Sequence, residues 1–155
     1  METPPIDQAY GALQKRHALP PFKEMDAEFE LSYIDNSHFL LREIRRRIME
    51  KLDAYLKLLE DLLQAEPNVS TMHEQRLFSD GEKAEAFSLF SKLMRISRES
   101  AILDLDNGDA ETSAFISATF SEWKLLKPAL AAIIRKMQES WVAPEDAEER
   151  LGYFG

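Results

Sequence analysis

Arg42, Arg45 and Arg46 stand at i, i+3 and i+4 in one run of helix-forming residues, with Arg47 and Lys51 one step around it. Cations placed this way can hold a nucleic-acid backbone, a partner's carboxylates or acids of the same chain. Left alone they are unfavourable, because a positive charge near a helix N-terminus opposes the macrodipole by about 0.3 kcal/mol or more. One internal answer is a solvated face laced by Glu43–Arg47 and Arg46–Glu50 pairs at i, i+4. Another is the acidic segment Glu24–Glu30, or the acids of the tail, Glu145–Glu149. Of the external answers an acidic protein fits better than a nucleic acid. The formal net charge is −9, so the surface beyond the patch repels a polyanion. The stripe also lacks the interleaved exposed aromatics of single-strand binders.

The second candidate is the tail. Glu148-Glu-Arg-Leu151-Gly-Tyr153-Phe154 sets an apolar residue and two aromatics behind a run of acids, the most peptide-like stretch in the chain. Its spacing resembles the clamp-binding peptides of replication proteins, although it lacks their Gln, and Gly155 stands where a second aromatic belongs. Leu151, Tyr153 and Phe154 are therefore read as partner-binding residues, with folding back onto the body of the protein as the competing role.

Other chemistry finds little support. Asp104-Leu-Asp-Asn-Gly-Asp-Ala-Glu111 resembles a calcium loop. Counted from Asp104, however, Gly108 is fifth and Phe115 twelfth, where an EF-hand needs Gly sixth and Glu twelfth. It reads instead as an acidic interhelical turn. The three histidines, His17, His38 and His73, offer only one Asp35-x-x-His38 spacing, so a carboxylate-bridged metal pair is not expected. With no cysteine and five glycines there is no thiolate chemistry, no disulfide and no phosphate-binding glycine fingerprint. Nothing brings together a nucleophile, a base and oxyanion donors, and no catalytic residue, metal or cofactor is expected.

The elements that must position these residues are helical. From Asn36 to Gln64 the apolar positions Leu41, Ile44, Ile48, Leu52, Tyr55, Leu59 and Leu62 step by three and four. Met49, Leu56 and Leu63 widen that stripe, which needs other helices to cover it. Asp35 is placed to cap it, with Ile34 and Phe39 as a hydrophobic staple. Before it, Ile6, Tyr10, Leu13 and His17 form a short amphipathic helix stopped by Pro20-Pro21. Residues 22–35 alternate at Phe29, Leu31 and Tyr33 without a second strand to pair with, so an irregular segment is expected there. After Pro67, Thr71-x-x-Glu74 has capping-box form and opens a turn or two. Ser79-x-x-Glu82 opens a helix to about Leu105, with Phe87, Phe90, Leu93, Met94 and Ile102 as its buried side. Asp109 starts the last helix, with Ile116, Phe120, Trp123, Leu130, Ile134, Met137 and Trp141 inward and a kink or break expected near Pro128.

The rhythm of LLREIRRRIMEKLDAYLKL followed by FSDGEKAEAFSLFSKLM is similar to the helical domain of GINS replication-complex subunits, over about a third of the chain. That resemblance implies a place in a protein assembly, and also a small β-domain for which this chain shows no candidate. The expectation is thus an all-α bundle of four to five helices with a long central helix and an irregular N-terminal segment. Residues 1–143 form one domain, with 1–35 peripheral to it, and 144–155 form an acidic tail. The expected role is a non-catalytic subunit or adaptor of an intracellular protein assembly. The alternative is a nucleic-acid-associated factor that uses the Arg42–Lys51 stripe. The partner is another protein, a second copy included. The polar N-terminus and the lack of a long apolar run predict a cytoplasmic protein with no membrane role.

Overall fold

The computed structural model describes residues 4–106 and 108–142. Among them are six α-helices and no strand: α1 (Ile6–Arg16), α2 (Phe22–Phe29), α3 (Leu40–Leu63), α4 (Val69–Gln75), α5 (Asp80–Leu105) and α6 (Asp109–Glu139). The all-α class is as the sequence predicts, but four to five helices is an undercount. The missing helix is α2. Met25 and Phe29, one turn apart, are buried from it, and the apparent alternation at Phe29, Leu31 and Tyr33 is a helix end running into a 3-10 turn over Leu31–Tyr33. Glu30 makes the junction with a left-handed backbone (φ 56°). The Asp26 carboxylate holds the turn, accepting hydrogen bonds from the Ser32 amide at 2.7 Å and the Ser32 hydroxyl at 2.6 Å.

α3 packs against α2, α4, α5 and α6. Its stripe is buried as the spacing predicts, with Ile44, Ile48, Leu52 and Leu59 sealed from solvent and Tyr55 half-buried. Its start is different. Asn36 takes up the His38 amide at 2.9 Å, and the helix begins only after Phe39, which is left-handed (φ 55°) and makes no side-chain cap. Asp35 is therefore not the cap. The staple does not form either, because Ile34 is buried while Phe39 is 74% exposed. At α4 the cap is Asn68, accepting from the Thr71 amide at 2.9 Å, so the helix begins ahead of the Thr71 box. The Ser79–Glu82 box is formed in both directions at 3.1 Å.

α3 and α5 run antiparallel, since Arg45 near the start of one meets Ser100 near the end of the other. α5 and α6 are also antiparallel, with Arg95 meeting Glu122 at 2.6 Å and Lys136 meeting Glu82. α6 therefore runs alongside α3, where Trp123 packs its ring 5.7 Å from that of Tyr55. α6 passes through Pro128 without a break. The proline costs one amide donor, and burial of Trp123, Leu126 and Leu130 on either side keeps the helix continuous. Its far end is clasped to α4, where His73 lies against the Trp141 ring (centroids 4.2 Å) with Nε2 2.7 Å from the Ser140 carbonyl oxygen. Trp141 itself is more than half exposed rather than inward. No helix among the described residues is long and apolar enough to cross a membrane.

Lys136 donates to Glu82, and with the Ser79 amide it holds that carboxyl down to about 2 from an ordinary 4.5. A depressed acid stabilises the fold above its unfolded pKa. That contribution is complete above about pH 4.5 and is lost as pH falls to about 2. Glu82→Gln is expected to flatten the fall in melting temperature across this window. An unchanged acid limb would show that Lys136 and Ser79 contribute nothing there.

Candidate functional site

The five cations of the stripe part company once the helices pack. Arg45 is 2% exposed. Its guanidinium donates to the Ser100 carbonyl at 3.0 Å, to the Ser100 hydroxyl at 2.7 Å and to the Asp104 carboxylate. Asp104 is 64% exposed, so a buried cation is neutralised by an acid at the rim of the bundle. The hydrogen bond from Arg45 holds the Asp104 carboxyl below its usual range against some desolvation, and Arg46 and Arg42 add to this through space.

Arg47 and Lys51 turn the other way, onto the end of α2. Arg47 donates to the Glu30 carbonyl at 3.2 Å and Lys51 to the Glu28 carbonyl. These carbonyls lie at the negative end of the α2 dipole, where a cation is favoured. The segment Glu24–Glu30 thus serves the stripe mainly through its backbone. Its Glu28 carboxylate is used elsewhere, accepting from the Trp123 indole at 2.8 Å and from Lys127 at 2.7 Å. Burial pushes that carboxyl up, but the hydrogen bonds from Lys127 and Trp123 outweigh it, and the net displacement is downward. Lys51 also lies 5.7 Å from the centres of both the Phe29 and Trp123 rings.

Of the two remaining arginines, Arg46 is exposed and Arg42 is half-buried. Arg46 pairs with Glu43 at 3.1 Å, and Arg42 lies over the exposed Phe39 ring at 5.1 Å. Arg47 reaches Glu50 at 3.3 Å. The expected Glu43–Arg47 and Arg46–Glu50 pairs are therefore replaced by i, i+3 pairs, because α2 draws Arg47 away from Glu43. Arg42, Arg45, Arg46, Arg47 and Lys51 do not make one basic face. They serve three surroundings. Leu151, Tyr153 and Phe154 lie outside the described residues.

Sequence reasoning missed Ser100 and Asp104. Ser100 ends the α5 inward face and Asp104 stands one turn on at its rim, a placement for which the expected inward set of α5 gave no signal.

The largest departure is on α5 itself. Its inward side is Ala86, Leu89, Leu93, Ile96 and Ser100. Of the expected inward set only Leu93 is buried, while Phe90 and Met94 are half-buried, Phe87 is 58% exposed and Ile102 63% exposed. Leu105, at the same end as Ile102, is 89% exposed. α5 is thus apolar on two sides, and the bundle covers only one.

A cavity of about 540 Å³ opens where the starts of α3 and α6 meet α1. Ala9, Leu13 and Leu41 give it apolar walls, and Arg16, Arg42 and Asp109 also line it. A second, of about 550 Å³, lies between α3 and α5 beside Arg46 and Asp104. No family model, curated protein or solved structure matches the chain, so its function is argued from these residues alone.

Proposed function

We propose that this protein is a non-catalytic helical interaction module, a subunit or adaptor of an intracellular protein assembly. The observation that carries the reading is the outward side of α5, with Phe87, Ile102 and Leu105 open to solvent on a helix whose other side is already packed. Large exposed side chains recurring along one helix mark a surface that another protein covers. Phe90 and Met94, half-buried, extend the apolar surface beside Phe87, and an adaptable Met suits a contact surface.

The nucleic-acid reading is weaker, because Arg45, Arg47 and Lys51 are committed to partners inside the chain. Arg46 is paired with Glu43 and Arg42 lies over Phe39, so the stripe as a whole makes a small electrostatic footprint and any nucleic-acid affinity should show a shallow salt slope.

The test is Phe87→Glu with Leu105→Glu, which changes exposed positions only. The variant is expected to melt within a few degrees of the parent and to lose at least tenfold in retention of its co-purifying protein partner from the native host. Retention of every partner by the folded variant would overturn the reading.

A further inference from the structure

From the groove between the end of α5 and the start of α6 we infer a docking site for a basic amphipathic helix of another protein. The inference rests on the reading of the protein as an interaction module, and it names the partner's chemistry and the place on α5 where it seats.

The groove is an apolar slot between two antiparallel helices. Buried Phe115 and half-buried Leu103 form its floor, with Ile102, Ala114 and Ala118 at its walls. Ile102 is 63% exposed, and Ala114 and Ala118, one turn apart on α6, are open to solvent as well. Alanines at that spacing let a third helix approach closely. A volume of about 350 Å³ is at the lower end of the roughly 300–1,000 Å³ of ligand sites, and it suits the anchoring side chains of a helix laid along the slot.

Charge sets the chemistry of that helix. The two charged residues that line the slot are both acids, Glu99 and Glu111. Arg95 lies opposite Glu122 at 2.6 Å, and counting along both helices from that pair sets Glu99 across from Ala118. Glu111 falls at the other end, where its carboxylate lies over Gly108 in the α5–α6 turn. Asp106 is exposed in the same turn. Seven residues separate Glu111 from Ala118, about 10 Å along the axis at 1.5 Å per residue. The slot thus has an acid at each end and apolar side chains between them. From Glu99 to Trp123 the sequence has no lysine or arginine. Arg95 reaches Glu99 at 3.4 Å but is shared with Glu122. No cation among the described residues forms an ion pair with Glu111 or Asp106. Arg98, exposed one turn before Ile102, opposes a cationic partner but does not line the slot. The matching helix carries Lys or Arg at i and i+7, to meet Glu111 and Glu99, with apolar residues at i+3 and i+4.

The probe is a synthetic helical peptide with Lys at i and i+7 and Leu at i+3 and i+4, beside a twin with Glu for Lys. Fluorescence anisotropy with the full chain is expected to show saturable binding of the Lys peptide that weakens as salt rises. The twin is expected to bind at least tenfold more weakly. Ala114→Gln/Ala118→Gln fills the slot without changing its charge, and Glu99→Gln/Glu111→Gln removes the acids without filling it. Each is expected to weaken binding at least tenfold with the helical circular dichroism unchanged. Glu60→Gln/Glu66→Gln removes two exposed acids at the other end of the bundle and is expected to leave binding within about twofold. No saturable binding, equal losses in all three variants, or no loss in the groove variants overturns the inference. So does a dimer of the parent that Ala114→Gln/Ala118→Gln dissolves, because a second copy then fills the slot. If the native partner is lost by Phe87→Glu/Leu105→Glu yet kept by both groove variants, the interaction module stands and the inference falls.

Discussion

Ile48→Asp abolishes the folded state. Ile48 is sealed from solvent in the middle of α3, on the face that meets the other helices. An aspartate there brings a charge into a site with no counterion, at a cost of several kcal/mol, and also removes the packing of a buried aliphatic side chain, about 2 kcal/mol or more. Together these approach or exceed the roughly 5–15 kcal/mol by which domains of this kind are stable. Circular dichroism at 25 °C should show loss of most helical signal, with no cooperative thermal transition. A variant that still melts cooperatively near the parent temperature would mean that the α3 stripe is covered by something other than this bundle.

The second large effect is an asymmetry in the Arg45–Asp104 pair. Removing the acid leaves a sealed guanidinium held by Ser100 alone, so Asp104→Ala is expected to cost about 3 kcal/mol. That is the lower end for breaking a buried pair, because the acid itself is open to solvent. Removing the base is milder. Arg45→Met refills much of the volume and releases Asp104 to water. It also deletes the buried Arg45 Nε, which makes no hydrogen bond, and its cost is expected to stay below about 1.5 kcal/mol. Urea unfolding of the two single variants and the double variant gives both numbers and the coupling between them. If Arg45→Met proves the costlier change, the guanidinium contributes more by its hydrogen bonds than its desolvation takes away.

The sequence by itself determined that this protein is built from helices, and which residues line the α3 stripe. Leu41 through Leu62 follow a 3.6-residue period over six turns, and no other regular structure can hide that pattern. It also determined the start of α5, because a capping box is local chemistry between Ser79 and Glu82 and needs no other part of the chain. Where the local signal competes with the surroundings, it fails. Asp35 offered a cap and Ile34 a staple, but Ile34 goes into the core and Phe39 turns outward with a left-handed backbone.

Only the tertiary structure decided the fate of the arginines and of α5. The three faces of the stripe are a few ångströms apart along one helix. Which face meets Ser100 and Asp104 on α5, which meets the carbonyl end of α2 and which meets water depends on how three helices are rotated. Periodicity fixes the angle between side chains, not the direction from which a neighbour arrives. The same holds for α5, whose apolar residues fall on two sides. The smaller set, Ala86, Leu89, Leu93 and Ile96, is the one buried where α5 packs against α3 and α6. The larger aromatics, Phe87 and Phe90, are left toward the outside.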